Sequence, residues 1–125
     1  MHLAALIIPG GHGAVKNLMT NFARLGERRE VLPGVRDLMA SLAQRRAPIG
    51  SISLGRAVVQ AFLDEPLSQD DMHLSAGEIL VDEERRLVFT PGFLTGASLP
   101  EVATGIEKMV AAVLSMGASR LAIVR

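Results

Sequence analysis

From Leu3 to Ile8 the chain is an unbroken apolar run, closed at once by Pro9-Gly10-Gly11. A strand that is apolar at every position is buried on both faces, which happens almost only in parallel sheets covered by helices on each side. Such a strand commits the rest of the chain to supplying those helices.

The pattern downstream supplies them. Pro33 followed by Val35, Leu38, Met39 and Leu42 spaces apolar residues i, i+3, i+4, i+7 behind a proline at the first turn, with Arg45 and Arg46 at the end where the helix dipole favours cations. That spacing predicts a helix. "APIGSIS", Ala47 to Ser53, predicts a second short strand, and "GRAVVQAFLDE" a helix with Val58, Val59, Phe62 and Leu63 facing inward. Strand, helix, strand, helix is the order of a right-handed parallel α/β layer.

The remaining segments fill in around this unit. "AVKNLMTNFA" predicts a short helix, weakened by Asn17, Thr20 and Asn21 and ended by Gly26. Glu65 to Gly77 is polar and holds a proline, which suits a loop or a lid. "EILVDEERRLVFT" places two β-rich runs around Asp82 to Arg86 and predicts a hairpin. Pro100 opens a last helix whose stripe of Val102, Ile106, Met109, Val110, Val113 and Leu114 ends at Gly117; "RLAIV" beyond it suits a final strand or a tail.

A chain of 125 residues with 49% hydrophobic content can bury one core and is too short for two ordinary domains, so residues 1–125 are expected to form one. Its 13 basic and 13 acidic residues cancel, the basic ones are scattered in pairs such as Arg28-Arg29, and aromatic content is 3%. No basic stripe is available for nucleic acid. Cysteine is absent, which removes disulfides, thiolate catalysis and zinc–thiolate sites together. The first residues lack a basic leader, and no apolar run reaches the length of a membrane span, so no membrane partner and a cytoplasmic location are expected.

Two stretches could carry chemistry. "PGGHG" lies at the carboxyl end of the first strand, where open α/β sheets bind ligands. A dinucleotide fingerprint would need its third glycine at Lys16, and the phosphate-loop spacing also fails, so no cofactor is assigned. The amides of Gly10 and Gly11 suit instead an oxyanion hole, or the glycines serve only a tight turn. The other stretch is "IGSISLG", a departure from the Gly-x-Ser-x-Gly nucleophile elbow: Gly55 is in place, but Ser51 stands where the first glycine belongs. A serine nucleophile at Ser53 also needs a base, and the candidates are His2, His12 and His73, with His12 on the glycine turn the nearest in expectation. Asp70-Asp71 with His73 suit a water-facing loop better than a metal, and none is assigned.

Taken together, "ALIIPGGHGAVKNL", "NFA", "PIGSISLG", "ILVDEERRLVFTPGF" and "TGIEKMV" resemble the ElbB family, named for enhanced lycopene biosynthesis, within the PfpI-like, class I glutamine amidotransferase-like superfamily. The resemblance implies a flavodoxin-like parallel sheet with helices on both faces and one hairpin. It also implies an elbow cysteine, oxyanion amides from Gly10, Gly11 and Leu54, an acidic partner on an earlier strand–helix unit, and glyoxalase activity on small dicarbonyls with a link to isoprenoid pathways.

The chain departs from that pattern in three ways. Ser53 stands at the cysteine position, the first strand–helix unit with its acidic residue is missing, and the segment from Glu65 to Gly77 is short. Weak or lost catalysis is therefore expected, with a small carbonyl or anionic ligand. The alternatives are a non-catalytic small-molecule-binding or interaction module, and a serine hydrolase using Ser53. Because the missing strand would lie beside Leu3 to Ile8, the apolar edge is expected to recruit a second copy or a sheet-completing partner.

Overall fold

The computed structural model describes residues 3–20, 30–64 and 73–124. In chain order the elements are β1 (Leu6–Ile8), α1 (His12–Leu18), α2 (Pro33–Gln44), β2 (Ile49–Ile52), α3 (Gly55–Leu63), β3 (Leu80–Asp82), β4 (Leu87–Thr90), a 3-10 turn (Gly92–Thr95) and α4 (Leu99–Val124). The strands form one sheet in the order β1-β2-β4-β3. β1, β2 and β4 are parallel, with Ile8 opposite Ser51 and Ile52 opposite Thr90, and β3 returns antiparallel to β4 as the expected hairpin.

Helices cover both faces, so the sheet is the filling of a three-layer sandwich. On one face Ile8 and Ile49 pack with Val15 of α1, Met39 and Leu42 of α2, and Val58 and Val59 of α3. On the other, Val88 packs with Met109 and Val113 of α4. Each such side chain, taken fully out of water, contributes about 1.5–3 kcal/mol before the cost of ordering the chain. Met39 and Leu42 are wholly buried while Leu38 is exposed, so the stripe read from the spacing of α2 is narrower in the fold than in the sequence.

Three expectations change. α1 starts at His12, directly on the glycine turn, and stops at Leu18 rather than running on toward Gly26. Met19 is extended and bridges Val31, and Thr20 exchanges hydrogen bonds with Glu30 (Thr20 N–H to Glu30 O, 2.7 Å; Glu30 N–H to Thr20 Oγ1, 3.1 Å). That clasp takes the backbone groups a longer helix would have used. Gly117 does not end α4, which continues to Val124, so "RLAIV" is helical through Val124 rather than a strand. A Cβ at position 117 would lie 3.3 Å from Ala4 O, so glycine there serves a close approach, not a helix stop.

Arg45 and Arg46 lie just past α2 and not in its last turn. Arg46 Nη1 donates to Glu84 O at 2.8 Å, Arg86 Nε donates to Arg46 O at 3.1 Å, and Arg86 Nη2 donates to Met116 O at 2.7 Å. Two arginines thus tie α2, the hairpin and α4 together at the amino ends of β2 and β4. Most of the predicted loop or lid, residues 65–72, lies outside the described residues. No helix among the described residues is long and apolar enough to cross a membrane.

Candidate functional site

β2 ends at Ile52 and α3 begins at Gly55, so the chain passes from strand to helix within two residues. Ser53 makes that turn with φ at 54°, in the left-handed region, where a residue with a Cβ is strained by roughly 1–2 kcal/mol. Backbone bonds hold it there: Ser53 N–H donates to Thr90 O at 2.9 Å, and Ser53 O accepts from Arg56 N–H at 3.2 Å.

The space around the elbow is made by glycines. A Cβ on Gly10 would sit 2.8 Å from Ser53 Cβ, 3.0 Å from Ile52 O and 3.4 Å from Ser53 Oγ. On Gly55 it would meet Ile8 O at 2.6 Å and Pro9 O at 2.8 Å. Gly10 therefore lets the β1 turn lie directly against Ser53, and Gly55 lets α3 start against the end of β1. On the far side, Gly92 with φ at 61° brings the 3-10 turn to within 3.3 Å of Ser53 Cβ, measured from the place its own Cβ would take.

Ser53 and Gly10, singled out by sequence, are thus brought together. Leu54 follows at the N-cap of α3, where the first helical amides have no acceptor within the helix. Gly11, with φ at 93°, lies one residue further out, and its carbonyl accepts from Ala14 N–H at 3.2 Å. Gly10, Gly11 and Leu54 therefore all lie at the carboxyl end of the sheet, on the two chain segments that meet at Ser53.

The proposed bases are not assembled with them. His12 opens α1 and is exposed, His73 is exposed, and among the described residues neither is hydrogen-bonded to Ser53 Oγ. His2, Asp70 and Asp71 lie outside the described residues. Among the described residues no cluster of three or more His, Asp or Glu side chains could hold a metal ion.

Three neighbours of the elbow escaped the sequence reading. Thr90 is wholly buried; its carbonyl fixes Ser53, and its Oγ1 donates to Glu78 O at 3.1 Å. Hydrogen bonds from Ser75, the side chain first and the backbone N–H second, hold the exposed Glu78 carboxyl below the usual carboxylate range. Gly92 closes the far side of the elbow. Arg56, in the first turn of α3, places its guanidinium 4.7 Å from the centre of the Phe89 ring, a cation–π contact that leaves a positive group one residue past Gly55. "TPG" at Thr90 to Gly92 was the available signal, because it follows the strand run that pairs with β2.

A solved structure has this arrangement of elements. An isoprenoid biosynthesis protein with an amidotransferase-like domain from Ehrlichia chaffeensis matches the chain with a TM-score of 0.75 at 24% sequence identity. The match covers 90% of this chain and 59% of that one, so the chain spans about three-fifths of the length of that protein. No protein-family model matches the chain. The likeness establishes the fold, an amidotransferase-like α/β domain, and agrees with the resemblance read from the sequence motifs.

Proposed function

We propose that the chain is an ElbB-like protein of small-dicarbonyl or isoprenoid metabolism whose own catalysis is weak or lost. The observation that carries this is Ser53, held with left-handed φ at a strand-to-helix elbow between Gly10 and Gly92. Keeping a side chain in that strained, glycine-lined place is how α/β enzymes present a nucleophile. A thiol there ionises readily. A serine hydroxyl without a base does not, and among the described residues no His is hydrogen-bonded to it.

In this reading a carbonyl or small anionic ligand sits against the amides of Gly10, Gly11 and Leu54 with Ser53 beside it, and no cofactor is required. A cytoplasmic location goes with it. The test is turnover of glyoxal and methylglyoxal by the wild type beside Ser53→Cys. Activity gained by the cysteine variant is expected. If both are inert, the dicarbonyl assignment fails and ligand binding without chemistry takes its place, a reading the unassembled base already favours. Labelling of Ser53 by a fluorophosphonate, lost in Ser53→Ala, would point instead to a serine hydrolase.

A further inference from the structure

Alternate residues of β4 point to opposite faces of the sheet: Val88 packs under α4 with Met109 and Val113, and Thr90, two residues on, lies on the same face. There it is wholly buried, at a position that valine would fill with the same shape. A hydroxyl in such a place destabilises the fold unless it is hydrogen-bonded. Its partner is Glu78 O, 3.1 Å from Oγ1, on a segment that is neither strand nor helix.

That segment is a turn closed from both ends. Glu78 N–H donates to Ser75 O at 3.0 Å, and Glu78 Oε1 accepts from Ser75 N–H at 3.0 Å. Ala76, inside the turn, is buried. α4 is shaped around it at Gly105, where a Cβ would overlap Ala76 O and come within 2.6 Å of Thr90 Oγ1. The turn, the threonine and the helix therefore meet at one point.

The backbone of Thr90 serves the elbow. Ile52 is its register partner, and its carbonyl accepts from Ser53 N–H at 2.9 Å, one residue past the end of β2. Pro91, buried and with φ at −65°, fixes the path from Thr90 into Gly92. A Cβ on Gly92 would lie 3.3 Å from Ser53 Cβ and 3.9 Å from Ser53 N.

We propose that Thr90 is a positioning residue for Ser53, through which the Ser75–Glu78 turn sets the elbow. The hydroxyl fixes the end of β4 against the turn, and the carbonyl passes that placement to the Ser53 amide. A left-handed serine persists only where its surroundings hold it, so loosening the turn loosens the elbow. The bearing of this on chemistry rests on Ser53 being the nucleophile position of the function proposed above; the coupling itself does not.

Amide hydrogen exchange of the full chain, read by NMR, tests this. Ser53 and Ile49 both donate to the β4 side, at opposite ends of β2, with Ile49 N–H 2.9 Å from Arg86 O. Exchange at Ile49 follows general loosening, so the ratio of the two isolates the elbow. Thr90→Val removes the hydroxyl and keeps the shape, and should speed exchange at Ser53 at least about tenfold relative to Ile49. Thr90→Ser keeps the hydroxyl and should stay within about threefold of the wild-type ratio. Glu78→Ala, on the exposed side of the turn, should raise the ratio about threefold and add nothing on top of Thr90→Val. An unchanged ratio in Thr90→Val, or a Thr90→Ser ratio equal to that of Thr90→Val, overturns the proposal. If circular dichroism shows Thr90→Val unfolded, Glu78→Ala decides, and an unchanged ratio there overturns it. Absence of dicarbonyl turnover in Ser53→Cys strikes the functional reading alone and leaves these ratios as they are.

Discussion

At the amino ends of β2 and β4, Arg46 and Arg86 hold φ at 59° and 61°; at the carboxyl end of β2, Ser53 holds 54°. The backbone geometry is nearly the same, and its surroundings are opposite. Arg46 follows the C-terminus of α2 and Arg86 closes a hairpin, places where left-handed residues are ordinary. Both side chains are then spent on structure, through Glu84 O, Arg46 O and Met116 O. Ser53 closes no helix C-terminus, and the backbone at Gly10 and Gly92 packs so closely against it that a side chain at either position would crowd it. One end of the sheet uses left-handed residues to fasten layers, and the other has one whose half-buried side chain is packed against glycines.

The comparison breaks first at its tightest contact. Gly55→Ala puts a methyl group against two carbonyl oxygens of β1 and its turn, Ile8 O and Pro9 O, neither of which can swing away. A loss of about 3 kcal/mol is expected in urea unfolding, with the slope unchanged. A loss under about 1 kcal/mol would mean that the elbow is looser than its glycines imply.

Arg86→Ala tests the fastened end. It removes charge-assisted hydrogen bonds to Arg46 O and Met116 O and should cost about 2 kcal/mol, with no change in ligand binding or labelling at Ser53. An altered site would show that the two ends are not independent.

Ser53→Gly sharpens the contrast with the smallest effect. Relief of left-handed strain outweighs the added freedom of the unfolded chain, so a gain of about 0.5–1 kcal/mol is expected in thermal unfolding. Arg86→Gly, at nearly the same φ, should lose stability because its side chain is engaged. If Ser53→Gly is destabilising too, the hydroxyl has a structural role that the comparison denies.

Much of this was legible from residue order. The i, i+3, i+4, i+7 spacing of α2 and the charged hairpin turn each determine an element locally and are found where they were expected; the apolar run from Leu3 gives a shorter strand, Leu6–Ile8, buried on one face at Ile8 and exposed at Ile7. The elbow at Ser53 was legible too, because Gly55 limits what can follow a strand there. Gly117 misled, since a glycine that stops a helix and one that admits a neighbour look alike until the neighbour, Ala4, is known. Thr90 and Gly92 were missed for a related reason. Their part in the elbow comes from β4 lying beside β2, a pairing between strands that the hairpin and the whole of α3 separate in sequence.

Gly117 meets Ala4 across roughly a hundred intervening residues, a loop whose closure entropy must be met before the contact gives anything back. By contrast Val88 and Met109 are only about 20 residues apart, so the loop-closure cost of seating α4 on the sheet falls on its carboxyl half, at Gly117, and not on the half that covers β4.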